Sequence, residues 1–443
     1  MRHHGDCHGY GLDRAIALTV AIPAGILAAI YLSEYANPPL RRLLKPALEA
    51  IAGIPTIVLG YFALLVVTPL LKQILPGVTT YNALSAGLVV GVLITPIISS
   101  LSEEAIAAVP PSLKQGAYAI GFTRREVIQR IVLPAAFPGI MAAITLAASR
   151  ALGETMIAAI AAGQIPVLTL NPLTAMESMT TFIIQVSLGD VSWDSFIFHV
   201  VFTVGLVLFL MTLALNWFGH WLIRRHRRQM QGFTIPNAEP LVLETTELAV
   251  VRSNPDITLP TPSAFTPTLH QRDWVDRGFH SLAMLAAGFG VLVLGVLLVI
   301  TLRQGFPYLN WHFLTHLSSR KPEDAGIFAA LVGTGWLMVL TACLALPIGL
   351  GTAIYLEEYV PPTIANTLLE IHIANLAAIP SILYGLLGLA LFARAWEPLT
   401  GGFSLLSAAF VLTVIILPFL VTATRTALRR CQSIVVRLDM RWV

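Results

Sequence analysis

Charged side chains are scarce in this sequence: Asp, Glu, Lys and Arg together make up 12% of its 443 residues. That is about half the roughly 25% share of a typical soluble domain. Hydrophobic residues make up 56%, and a soluble protein cannot bury so much apolar surface and still keep a polar exterior. The scarcity of charge therefore excludes an ordinary soluble enzyme and favours a polytopic membrane protein.

Cysteine and net charge are also low. The three cysteines, Cys7, Cys343 and Cys431, are odd in number and far apart, so no disulfide framework is predicted. A net charge of +3 is too small for a nucleic-acid-binding surface. Because no HExxH, GxSxG or GxxxxGK[ST] motif stands in a suitable setting, we expect no catalytic site, no metal site and no cofactor.

Long apolar runs fill most of the chain. Several reach the roughly 18–25 residues that a bilayer-spanning helix needs, and a helix satisfies all its backbone groups internally in lipid. The sequence predicts an all-α polytopic membrane protein with about nine transmembrane helices, five before a break and four after it. The predicted spans are 15–32, 50–71, 83–101, 136–163, 197–223, 280–302, 327–356, 368–393 and 403–423.

Positive charge alternates between the connecting loops, and this alternation indicates the orientation. Loops 33–47 and 102–134 and the end of the fifth span are rich in Lys and Arg. Loop 72–82 holds only Lys72, and 164–196 holds no Lys or Arg. The first group is predicted to be cytoplasmic. This places the N-terminus outside, which is unexpected because two arginines lie in its first fourteen residues.

An internal repeat relates the two halves of the chain. Three segments return in the same order at an offset of 322 to 325 residues: Ala21–Pro39 as Ala345–Pro362, Ala52–Leu64 as Ala377–Leu389, and Leu84–Pro96 as Leu406–Pro418. Two parallel copies of one membrane module are therefore predicted, with a transport route at their interface.

A proline-rich break separates the two predicted modules. Six prolines lie between Gly232 and Gln271, so this stretch cannot form one continuous helix. We expect modules at 1–228 and 274–443, joined by a cytoplasmic linker at 229–273.

The basic loop 102–134 carries the signals of two short helices. Pro110 and Pro111 suit a helix start, and Gly121 suits a C-terminal stop. Thr123 followed by Glu126 matches a capping box that opens a second helix. Leu113, Ala117 and Ile120 lie on one helical face. On periodicity alone, an ordinary amphipathic connector is the favoured interpretation of this loop.

Gln115-Gly116-Ala117, Gly121 and the run Ile131–Pro134 resemble the EAA coupling loop of ABC-importer permeases, and depart from it at the first two positions. In that family the loop docks into a cleft of a cytoplasmic ATPase. We refer to 102–134 as the coupling segment. The resemblance implies that its ATPase-coupling residues are Glu104, Ala105, Gln115, Gly116, Ala117, Gly121, Leu133 and Pro134.

Most of the chain resembles phosphate-importer permeases. Residues 21–228 resemble the C-type subunit, for example at SRALGET (149–155) and QVSLGD (185–190), and 274–428 resemble the A-type subunit, for example at SRKPEDAGI (319–327). The resemblance implies an ABC type I importer permease (MetI-like) fold in the inner (plasma) membrane. Implied partners are cytoplasmic ABC ATPase subunits, a periplasmic phosphate-binding protein and further permease subunits, with no nucleic acid.

Both ends depart from the family pattern. The first span of the C-type module has no clear counterpart, and the A-type module stops within its own coupling loop. We therefore expect a fusion of two permease subunits that is truncated at both ends. A non-transporting remnant and a permease for molybdate, sulfate or an amino acid stay open as alternatives.

Two charged residues, Arg150 and Glu154, lie inside the predicted span 136–163. A charge at this depth is costly and usually faces protein or water. At a spacing of four residues the two can pair on one helical face, either as a packing device or as a station for an anion. Guanidinium groups match phosphate oxygens, and the resemblance implies that both residues serve the substrate pathway.

Overall fold

A computed structural model describes residues 11–167, 169–189, 195–231, 269–321, 324–360, 373, 376 and 379–439. Within these ranges the chain is helical, with no strand. The helices are α1 (Leu12–Tyr35), α2 (Pro38–Ala52), α3 (Thr56–Ile74), α4 (Ala83–Ala107), α5 (Pro111–Ala119), α6 (Arg124–Gly153), α7 (Met179–Leu188), α8 (Phe196–Gln231), α9 (Leu269–Gly305), α10 (Trp311–Thr315), α11 (Phe328–Tyr359), α12 (Ser381–Ala395), α13 (Glu397–Thr400) and α14 (Leu405–Asp439). Single helical turns also cover Ala158–Ala162 and Phe306–Tyr308.

Eight helices of the described chain are long and apolar enough to cross a membrane, namely α1, α3, α4, α6, α8, α9, α11 and α14. The five spans predicted before the break are all present, and three of the four predicted after it are present as α9, α11 and α14. Part of the predicted span 368–393 lies outside the described residues. Within this span, α12 begins at Ser381, directly after Pro380, whose backbone is extended (ψ 135°).

Two predicted loops contain helices. Most of 33–47 belongs to α2, which begins with Pro38 and Pro39 in its first turn and buries Leu48 and Ile51. The predicted external loop 164–196 contains α7. At 15 and 10 residues, both helices are too short to count as membrane spans, so only their packing against longer helices reveals them.

The two copies of the repeat pack in the same way. In the first copy α1 lies along α4, and in the second α11 lies along α14. Gly25 of α1 faces Ile98 of α4 with no room for a side chain, and Gly349 of α11 faces Leu420 of α14 likewise. These two contacts occupy equivalent repeat positions. The repeat seen in the sequence therefore corresponds to a repeated helix pair, in which glycine permits close approach.

The first helix of the second copy, α9, packs on the first copy. It lies against α1, α2 and α4, and its Ala283 and Ala287 are buried with Ala28 and Tyr31 of α1. The small side chains allow this close contact. Residues 232–268, which include most of the predicted linker, lie outside the described residues; the two ends of that linker belong to α8 and α9.

Candidate functional site

A cavity of about 570 Å³ lies between the two copies. From the first copy, Arg150, Glu154 and Thr56 line it; from the second, Pro380, Ser381 and Tyr384 do. Thr56 and Ser381 are equivalent positions of the repeat, and each begins a helix directly after a proline. The cavity is therefore built from matching elements of both copies.

Arg150 and Glu154 both line the cavity, but they do not share a helix. Arg150 lies in the last turn of α6 with an exposed side chain, whereas α6 ends at Gly153 and Glu154 has extended backbone (ψ 128°). Among the ion pairs of the described residues none joins the two. The prediction of a pair on one helical face is wrong, because the chain leaves the helix between them.

Residues distant in sequence stabilise the chain at Glu154, where helix α6 has ended. The Arg14 guanidinium donates to the carbonyl oxygen of Glu154 at 3.0 Å and to the Thr180 hydroxyl at 3.3 Å. The Thr180 hydroxyl donates to the same Glu154 carbonyl oxygen at 3.1 Å. Arg14 is buried and paired with the neighbouring Asp13. If α6 continued, the carbonyl oxygen of Glu154 would accept a hydrogen bond from a backbone N–H one turn later. Here it accepts from side chains of α1 and α7 instead.

The two copies meet closely beside the charged residues. A β-carbon built on Gly153 would lie 3.0 Å from the Cα of Pro380, which is tighter than ordinary van der Waals contact. Gly153 therefore lets the end of α6 approach the start of α12. Ser149, one turn earlier, donates to Asn216 of α8 at 2.7 Å, so Arg150 projects from a helix end that is held on two sides.

The coupling segment folds largely as the sequence predicts. Helix α5 begins at Pro111 and ends in a Schellman motif: Phe122 N donates to Ala117 O at 3.2 Å and Gly121 N donates to Tyr118 O at 3.0 Å. Gly121 has φ 87°, a conformation that suits glycine.

The capping box at the start of α6 is present. The side chain of Thr123 accepts from Glu126 N, while Thr123 N donates to the Glu126 carboxylate at 2.9 Å. Helix α6 then passes through Leu133 and Pro134 without interruption of the long helical span. The predicted two-helix arrangement around Gly121 is confirmed by these contacts.

The predicted coupling residues lie in different environments. Ala117 is buried, but Leu113 and Ile120 on the same predicted face are exposed by 51% and 73%. Gln115 and Gly116 are exposed on α5, and Glu104 is exposed at the end of α4, where Ala105 packs against Gly139. This part of the coupling segment therefore presents an apolar surface outward. Burial raises the pKa of Tyr118 on α5.

A buried carboxylate fastens α2 to α4. Glu103 is fully buried and accepts from Arg41 and from Lys45, the latter at 2.7 Å. One helical turn separates the two cations on α2, so both reach the same carboxylate. The coupling segment is also tied to α1, because Lys114 on α5 pairs with Glu34 at 2.6 Å.

Comparison with known proteins gives the family. Residues 21–228 match the binding-protein-dependent transport system inner membrane component. The phosphate transport system permease protein PstC of Mesorhizobium japonicum is 32% identical over 240 residues, which cover 49% of this chain and 72% of that protein. The chain belongs to the ABC importer permease family. It is accordingly an inner membrane protein with several spans.

Two further relatives show how far the permease similarity extends. A probable ABC transporter permease, YqgH of Bacillus subtilis, is 34% identical over 197 residues, and the chain spans 63% of its length. A PstA homolog of Mycoplasma pneumoniae is 24% identical over 440 residues, covering 93% of this chain and 67% of that protein. The similarity thus reaches across both copies of the repeat.

Sequence reasoning missed three residues that organise this permease. Arg14 stands out in the sequence only as an unexpected positive charge just before the first predicted span. Its partner Asp13 and the buried Glu103 carry no motif, and the family resemblance points to Glu104 instead. In each case the available signal was a charge at the edge of an apolar run, which marks a residue that must find a partner when buried.

The turn at Gly121 gives the first testable expectation. Replacing Gly121 with Val puts a β-branched residue at φ 87°, which costs about 1–2 kcal/mol and should distort the turn between α5 and α6. We expect the variant to insert into the membrane but, if the coupling segment docks on an ATPase as its resemblance to the EAA loop implies, to retain several-fold less ATPase subunit on co-purification.

Gly77 supplies the matched control. It also has positive φ (97°) and open space around it, as Gly121 has, but it lies between α3 and α4, outside the coupling segment. Gly77→Val should carry a similar backbone cost without changing ATPase retention. Equal retention by the two variants would contradict a role of the Gly121 turn in ATPase binding.

Proposed function

We propose that this permease imports inorganic phosphate through the cavity between its two copies. The observation that carries the proposal is the exposed Arg150 guanidinium in that cavity, beside the buried Glu154. A guanidinium is always charged and its fork of donors matches phosphate oxygens. In a site shielded from water, such donors offset the large cost of dehydrating an anion.

The relatives support phosphate as the substrate. Two relatives are named phosphate transport system permeases or their homologs: one matches 49% of this chain and the other 93%. We propose that residues 1–228 act as a C-type module and 274–443 as an A-type module, with 229–273 as the linker. The charged pair alone fits other oxyanions, so substrate choice has to be measured.

The proposed cycle needs partners on both sides of the membrane. A periplasmic phosphate-binding protein delivers phosphate to the outer mouth, and cytoplasmic ATPase subunits dock on the coupling segment. The exposed surface of α5, with Leu113 and Ile120, supports that docking. The permease itself performs no bond chemistry in this proposal: it opens the cavity to one side and then the other while ATP is hydrolysed by its partner.

Uptake by proteoliposomes tests the proposal. The full chain is reconstituted with its ATPase and phosphate-binding protein, and radiolabelled phosphate uptake is followed with and without ATP. We expect ATP-dependent uptake that excess unlabelled phosphate suppresses and excess sulfate or molybdate does not. Suppression by sulfate or molybdate at equal concentration would reassign the substrate, and assembly without uptake of any oxyanion would contradict a transport function.

A further inference from the structure

The N-terminal end of α9 lies against the coupling segment of the other copy. His280 of α9 packs on Tyr35 at the end of α1, with ring centroids 4.8 Å apart, and Phe279 lies 6.4 Å from the same ring. The Arg124 guanidinium lies 4.7 Å from the Tyr35 ring centroid. A residue of the second copy, the end of α1 and the start of α6 therefore meet around one tyrosine.

Asp276, one turn before His280, makes a hydrogen bond to the start of α6. Its Oδ1 accepts from the backbone N–H of Arg125 at 2.8 Å. The first N–H groups of a helix have no partner within the helix, and the Asp276 carboxylate oxygen supplies an acceptor to one of them. A second contact lies beside it, since the Arg272 guanidinium is 3.8 Å from the Glu126 carboxylate.

This bond is not needed to start the helix. Thr123 and Glu126 already form a complete capping box within the coupling segment, and that motif alone defines a helix start. What Asp276 adds is a connection between copies. Because α6 is already capped, the bond from Asp276 contributes to the position of α6 relative to the second copy and not to the formation of the helix.

Helix α6 joins this contact to the cavity. It runs from Arg124 to Gly153 as one helical span, a rod of about 45 Å at 1.5 Å per residue. Arg150 lies in its last turn, and Gly153 at its end approaches Pro380 of the second copy. The second copy thus touches α6 at both ends: through Asp276 beside the coupling segment, and through Pro380 beside the charged residues.

We infer that Asp276 is a positioning residue, through which the second copy holds the coupling segment of the first and links ATPase docking to the cavity. The link to transport rests on the proposed function, but the position of α6 and the ATPase rate do not depend on which anion is carried. Losing Asp276 should loosen the start of α6 and lower the rate at which the docked ATPase turns over.

Amide hydrogen exchange of the full chain in nanodiscs tests the contact. Asp276→Ala removes the acceptor, so exchange in peptides that cover 123–127 should accelerate about threefold or more. Asp276→Asn keeps a carbonyl oxygen at the same reach and should exchange like the wild type. Asp276→Ser, whose side chain is too short to reach the amide, is a second variant in case Ala fails to fold. Unchanged exchange in Ala and Ser would overturn the contact.

Basal ATP hydrolysis by the assembled permease–ATPase complex, without binding protein or phosphate, tests the positioning role. We expect it to fall about threefold or more in Asp276→Ala and Asp276→Ser, and to stay at the wild-type rate in Asp276→Asn. Arg277→Ala, an exposed neighbour on α9, is the matched control. Faster exchange with an unchanged hydrolysis rate would overturn the inference. Absent phosphate uptake with these differences intact would count against the proposed function alone.

Discussion

Replacing Arg150 with Ala should reduce phosphate uptake to background while the chain still inserts and assembles. The side chain is exposed to the cavity at the end of α6, so its removal leaves the helix packing in place. A charge-assisted hydrogen bond contributes about 1.5–3 kcal/mol, and losing it in the transport pathway corresponds to a reduction of roughly tenfold to a hundredfold. Uptake of radiolabelled phosphate by proteoliposomes is the measurement.

Two further variants make the Arg150 result specific. Arg150→Lys keeps the charge but not the planar fork, so its uptake should fall between those of Ala and the wild type. Arg303→Ala removes an exposed arginine at the end of α9, away from the cavity, and should transport normally. If the Arg150→Ala variant takes up phosphate at the wild-type rate when equal amounts of both proteins are in the membrane, Arg150 does not belong to the transport pathway.

Removing both cations that face Glu103 should destabilise the protein strongly. In the Arg41→Met, Lys45→Met double variant the fully buried Glu103 carboxylate loses the two partners that the structure gives it. An uncompensated buried charge costs about 3–5 kcal/mol. We expect the apparent midpoint of thermal unfolding in detergent to drop by several degrees.

A third substitution separates charge from packing. Adding Glu103→Gln to the double variant removes the buried charge, so most of the lost thermal stability should return although a further residue has been changed. Arg42→Met is the control, since Arg42 is exposed on the same helix. If the double variant unfolds at the same temperature as Arg42→Met, or if the triple variant is less stable than the double, the account of Glu103 is wrong.

Local features of the fold could be predicted because their signals lie within a few residues. The Gly121 stop and the Thr123–Glu126 capping box are each specified by neighbours in the chain, and both formed as predicted. The five spans of the first copy follow from hydropathy in the same way. The repeat equivalence of Gly25 and Gly349 could likewise be read from the aligned segments.

The break at Glu154 could not be predicted, because its cause is distant in sequence. Spacing alone suggested one helix through 136–163, in which Arg150 and Glu154 would pair. The carbonyl of Glu154 is instead taken by Arg14 and Thr180, which lie 140 and 26 residues away. No local pattern encodes such a partner, so the separation of the two charges emerged only from the contacts that α1 and α7 make with Glu154.

The sequence by itself determined that this chain is a membrane protein, where most of its spans run, that its two halves are copies, and where its coupling segment turns. Hydropathy, repeat spacing and turn residues are properties of the linear order of residues, so the sequence alone reveals them. The tertiary structure alone decided that α9 lies on the other copy, that Asp276 reaches the start of α6, and that Arg150 faces a cavity shared by both copies. These depend on which helix faces meet, and shape complementarity between distant surfaces is not a property of any single segment.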